Sequence, residues 1–112
     1  LNENSIRAID NLAGLPNLTM LEMQYNIINV LDIPKTLPLL QILDLSGNPL
    51  FKIKSLDMFP ILQELYIGRT DITDLEFMKN NNTIINLDIS HTNVNDLSVL
   101  SKSNLEFIPL WI

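Results

Sequence analysis

The stretch Leu43-Asp44-Leu45-Ser46-Gly47-Asn48-Pro49-Leu50, LDLSGNPL, sets an asparagine inside a ladder of leucines. An amide placed once in such a run reads as a turn or a surface loop. An amide that returns at a fixed interval reads as a structural demand, so recurrence of the stretch decides the fold. It recurs. LTMLEMQYNII from Leu18, LQILDLSGNPL from Leu40, LQELYIGRTDI from Leu62 and IINLDISHTNV from Ile84 align with a period of 22 residues.

The period holds in columns. The strongest are Leu21, Leu43, Leu65, Leu87 and, two residues on, Leu1, Met23, Leu45, Ile67, Ile89. Past the asparagine position stand Ile6, Ile28, Leu50, Ile72, Val94, followed by Ile9, Leu31, Ile53, Leu75, Leu97 and by Leu12, Pro34, Leu56, Met78, Leu100. One column, Leu15, Leu37, Phe59, breaks at Asn81 and Ser103. The asparagine column reads Asn4, Asn26, Asn48, Thr70, Thr92.

The pattern L-x-x-L-x-L-x-x-N-x-L resembles the leucine-rich repeat. Its 22-residue period, with apolar residues at every third position of the return path, resembles the class found in bacterial internalins and in the leucine-rich-repeat regulatory subunit of protein phosphatase 1. The resemblance covers essentially the whole chain. It implies an α/β fold: a right-handed solenoid with a parallel β-sheet on the concave face and short 3₁₀ or extended turns on the convex face. Residues 1–112 then form one domain, a fragment of a longer array, with copies at 18–39, 40–61, 62–83 and 84–104 and partial copies at 1–17 and 105–112.

On this reading Asn48 has a physical task. The L-x-L segment alternates and forms a short strand, stacked on its neighbours ~4.8 Å apart. Where the chain bends off the strand, backbone groups turn inward, and each left unpaired costs ~1–3 kcal/mol. An amide supplies both donor and acceptor, so stacked asparagines can serve their own and the adjacent copy. Thr70 and Thr92 offer one hydroxyl each and serve fewer groups. On the return path, apolar residues at every third position suit 3₁₀ or extended turns better than α-helices. Asp74 and Asp96 stand at equivalent places and are positioned to cap such turns, while Pro34 and Pro38 oppose a regular helix.

Composition narrows the function. The chain is 46% apolar and carries thirteen acidic against seven basic residues, net −6, which disfavours nucleic-acid binding. It has no cysteine, hence no disulfide framework and no thiolate metal site. Intracellular and bacterial-surface or secreted locations fit that equally well. No apolar run reaches the ~18 residues of a membrane span. The chain starts at Leu1 without signal peptide or initiator Met, so it reads as a piece of a longer protein or its mature part. Phe107, Ile108, Trp111 and Ile112 have little polar cover, so the last turn reads either as a cap or as the place where the chain was cut.

The single histidine, His91, has no Ser–His–acid spacing around it, and no Gly-rich phosphate loop is present, so no catalytic or cofactor residue is assigned. Glu22 and Asp44 fall on adjacent strands without further oxygen ligands, so no metal site is assigned either. The triplets NLT at Asn17 and NNT at Asn81 match the glycosylation acceptor pattern, which an Asn-rich chain produces by chance.

The outward strand positions are more informative. One row is Glu22, Asp44, Tyr66, Asp88 and Pro109; it is flanked by Met20, Ile42, Glu64, Asn86 and Phe107, and on the other side by Gln24, Ser46, Gly68, Ser90 and Trp111. Beyond lie Tyr25, Gly47, Arg69 and His91. Carboxylates mixed with aromatic and apolar points suit a protein interface, and solvated strand residues would look the same one at a time. The expected protein-binding set is Met20, Glu22, Tyr25, Ile42, Asp44, Tyr66, Arg69, Asp88, His91 and Phe107. The function expected is a non-catalytic interaction module whose protein partner presents a basic surface. A targeting or regulatory segment of a larger enzyme, or an adhesin or effector of a pathogen, are the alternatives.

Overall fold

The structure, a computed structural model, describes residues 17–33 and 36–102. Residues 1–16 and 103–112, with Leu1, Asn4, Phe107, Pro109 and Trp111, lie outside the described residues, as do Pro34 and Lys35.

Each L-x-L segment forms a three-residue strand: β1 (Met20–Glu22), β3 (Ile42–Asp44), β5 (Glu64–Tyr66) and β6 (Asn86–Asp88). They make one four-stranded sheet in the order β1-β3-β5-β6. Every pair is parallel, and the register sets each residue beside its counterpart one period on, as Leu21↔Leu43↔Leu65↔Leu87. The ladder runs past the strand ends, with Met23 N–H donating to the Asp44 carbonyl at 2.9 Å, Tyr25 N–H to Ser46 at 2.9 Å and Arg69 N–H to Ser90 at 2.8 Å. Strands this short are held by that shared ladder and by the side chains beneath it.

The central residue of every strand is buried, and so are the columns that follow: Met23, Leu45, Ile67 and Ile89, then Ile28, Leu50, Ile72 and Val94. Leu31, Ile53 and Leu75 close the core from the far side, with Leu97 partly buried against it.

The return path changes character midway. β2 (Val30–Leu31) pairs in parallel with β4 (Lys52–Ile53), forming a second, two-stranded sheet. The equivalent positions in the next two copies, Asp74 and Asp96, are aspartates, and there the chain coils into 3₁₀ turns at Glu76–Met78 and Ser98–Lys102. Asp74 Oδ1 accepts the Glu76 N–H at 3.1 Å and Asp96 Oδ1 accepts that of Ser98 at 2.9 Å. Val and Lys at this position leave the backbone extended and free to pair; Asp turns its carboxylate onto the amide two residues on, which competes with a strand ladder. The Ser98 amide, then its hydroxyl, hold the Asp96 carboxyl below the usual carboxylate range. Every helical segment among the described residues is such a 3₁₀ turn, so the class is α/β-like with turns in place of α-helices. None of these segments is long and apolar enough to cross a membrane.

The asparagine column is buried throughout: Asn26, Asn48, Thr70 and Thr92 are all 6% exposed or less. Asn48 Nδ2 donates to the carbonyls of Leu45 at 2.8 Å and Met23 at 3.0 Å, and its Oδ1 accepts the Ile28 N–H at 3.1 Å. Two of those three partners belong to the preceding copy. Thr70 and Thr92 each donate to one carbonyl in their own copy, Ile67 and Ile89, at 2.7 Å.

Candidate functional site

The outward face of the four-stranded sheet is built by alternation. With the central residue of each strand buried, its two neighbours point away from the core. Register then aligns them into two rows, Met20–Ile42–Glu64–Asn86 and Glu22–Asp44–Tyr66–Asp88. Met20 and Glu22 are exposed, whereas Ile42, Asp44, Tyr66 and Asp88 are half-buried. Six of the ten expected residues therefore share one face. Tyr25, Arg69 and His91 also come together, three residues beyond the strand ends and all exposed.

The carboxylates are less free than a solvated row. Asp44 Oδ1 accepts the Ser46 N–H at 3.0 Å, and its Oδ2 accepts Gln24 Nε2 of the preceding copy at 2.7 Å. Asp88 Oδ1 accepts the Ser90 N–H at 2.8 Å. These two acids brace the bend off the strand while presenting charge outward. The Asp-x-Ser spacing at 44–46 and 88–90 is the sequence signal for that bracing, which the reading of both acids as partner contacts overlooked.

Tyr66 sits at the centre of the face. Its hydroxyl donates to Glu64 Oε1, one row over and two residues back. That hydrogen bond, partial burial and the charges of Glu64, Asp44 and Asp88 together push the phenol up to about 12. Glu64 is thus a fourth acid of the face, absent from the expected set although its i, i+2 relation to Tyr66 places both on one side of the strand.

His91 makes no hydrogen bond to a carboxylate or hydroxyl, and no three His, Asp or Glu residues gather as metal ligands, among the described residues. Lys52, Lys54 and Lys79 are exposed on the return path, Lys54 paired with Asp32 at 3.1 Å. A groove of about 490 Å³ opens on that side, between Lys54, Phe59 and Pro60 and Glu76, Phe77, Asn81 and Thr83. Its origin is the broken column. Leu37 and Phe59 are buried, but Asn81 replaces the apolar side chain and uses its Oδ1 to accept the N–H groups of Thr83 at 3.1 Å and Ile84 at 3.0 Å. Asn81 is therefore half-buried and engaged, and Asn17 is exposed.

No protein-family model matches the chain, and a sequence search of curated proteins finds no match.

Proposed function

We propose that the chain is a right-handed leucine-rich-repeat solenoid that binds a protein partner, without catalysis, through the outward face of its four-stranded sheet, the concave side of that solenoid. The strand partners one period apart and the buried Asn/Thr column support the architecture. The observation that carries the binding reading is the row Glu22–Asp44–Tyr66–Asp88, an aromatic centred among carboxylates on a face with exposed Met20 beside it. The partner would present a basic surface with an apolar insertion. Opposite charge raises the association rate and makes binding weaken with salt, and a central tyrosine supplies the larger share of affinity.

The test uses the chain as bait and a captured partner in surface plasmon resonance. Tyr66→Ala should weaken binding by about 2 kcal/mol or more. Asp88→Asn, which keeps the Ser90 acceptor, should mainly slow association at low salt. If both variants bind like the parent and Lys52→Ala or Lys79→Ala abolish binding, the return path is the interface and the proposal fails.

A further inference from the structure

The column Tyr25, Gly47, Arg69, His91 differs from the strand rows in its backbone. All four residues have positive φ, at 57°, 75°, 54° and 55°. The left-handed conformation thus belongs to the position, where each copy bends off its strand. Gly47 adopts it without a Cβ clash, and Asn or Asp would tolerate it best among the other residues. Histidine is among the residues that visit this region more readily, whereas Tyr25 and Arg69 carry the full steric penalty.

Nothing within the described structure compensates Arg69 or His91. Both are exposed, and neither side chain makes a hydrogen bond or ion pair among the described residues. Tyr25 is 54% exposed, with its ring laid over Gly47: a Cβ at residue 47 would collide with ring atoms Cδ1 and Cε1. The column is therefore an aromatic platform across the first two copies followed by two N–H-donating side chains on the third and fourth. Beside it runs one acid per copy, Glu22, Asp44, Glu64 and Asp88; Arg69 and His91 set donors beside the last two, so the first two copies carry the uncompensated acidic charge. Strained backbone under exposed side chains that have no protein partner among the described residues points to a functional use of the position.

Resting on the sheet face as a protein-binding surface, we infer that the partner also engages this column, and that it is a protein segment lying along the stacking direction with a basic residue over Glu22 and Asp44 and an acidic side chain over Arg69 and His91. With copies ~4.8 Å apart, the two contacts are about 10 Å apart along the stack, and the offset of the column beyond the strand ends lengthens that to the span of roughly three to four extended residues.

The probe is a displayed library of random twelve-residue peptides selected on the intact chain. Enriched peptides should pair a basic residue with an acidic one about three to four positions away. Arg69→Glu should weaken them at least tenfold, and reselection on that variant should turn the acidic position basic. Glu22→Lys should do the converse. Arg69→Asn and His91→Asn should hold or raise the urea midpoint while weakening the same peptides, since Asn relieves the backbone; a lowered midpoint would give the column a structural role and overturn the inference. Peptides lost on Tyr66→Ala but indifferent to Arg69→Glu would sink the inference and leave the sheet-face reading standing. No enrichment, or enrichment indifferent to every change on the face, would sink both.

Discussion

Asn48 shows how one side chain couples two copies. Its amide reaches Met23 and Ile28 of the preceding copy as well as Leu45 of its own, whereas Thr92 reaches mainly Ile89. Orphaned buried groups cost ~1–3 kcal/mol each. Asn48→Ala should therefore lower stability by about 2 kcal/mol or more, and Thr92→Ala by about 1 kcal/mol; equal shifts of the urea midpoint would remove the account. Tyr66 gives a pH signature. Its folded pKa, about 12, exceeds the usual 10, so its contribution is fully present below pH 10 and is lost as pH rises through about 12, where the unfolded chain has already released the proton. Stability should fall across that window, and the fall should shrink in Tyr66→Phe, whose tyrosinate absorbance should also lose the component titrating near pH 12. The role of Asn48 was legible in the sequence because a polar residue at a fixed period in an apolar frame has few explanations. The left-handed column was barely legible: Gly47 hints at it and His91 weakly agrees, but Tyr25 and Arg69 carry no such signal, and only the backbone reveals what the four share.

At the scale of elements, the switch from strand to 3₁₀ turn follows the column Val30, Lys52, Asp74, Asp96. The engagement of the aspartates could be read in advance, since Asp readily accepts the amide two residues on; at the first turn it does so from one residue ahead of the N-cap, Leu75, which makes no side-chain cap bond. The second sheet could not, because its two-residue strands are too short for alternation to show. Asp74→Ala should cost about 1 kcal/mol and speed hydrogen exchange at the Glu76 amide, its partner. Unchanged protection at that amide would show the turn to stand without the Asp74 acceptor. The site was legible in part for the same reason. Alternation placed Glu22, Asp44, Tyr66 and Asp88 on one face, but not the hydrogen bonds that tie Asp44 to Gln24 and Ser46, because those depend on the turn geometry beyond the strand.

The whole molecule carries net charge −6, and its sheet face concentrates carboxylates across Glu22, Asp44, Glu64 and Asp88. Screening should relieve that repulsion: raising sodium chloride from about 10 mM to about 300 mM should increase stability by about 0.5 kcal/mol. A fall on adding salt would mean that attraction, not repulsion, dominates the surface. The change of return path has a mechanical consequence. Copies 18–39 and 40–61 are laced on both sides, by β1–β3 in front and β2–β4 behind. Hydrogen-bonded ladders hold a fixed spacing, so this half resists bending. From Glu76 onward, among the described residues, 3₁₀ turns stand at the rear in place of paired strands, and the groove at Phe59 and Asn81 lies where the second sheet ends. Compliance is therefore graded along the stack. The half bearing Glu22 and Tyr25 is a stiff template, while the half bearing Arg69, Asp88 and His91, without a second sheet behind it, is free to flex about its front ladder to meet what lies on it.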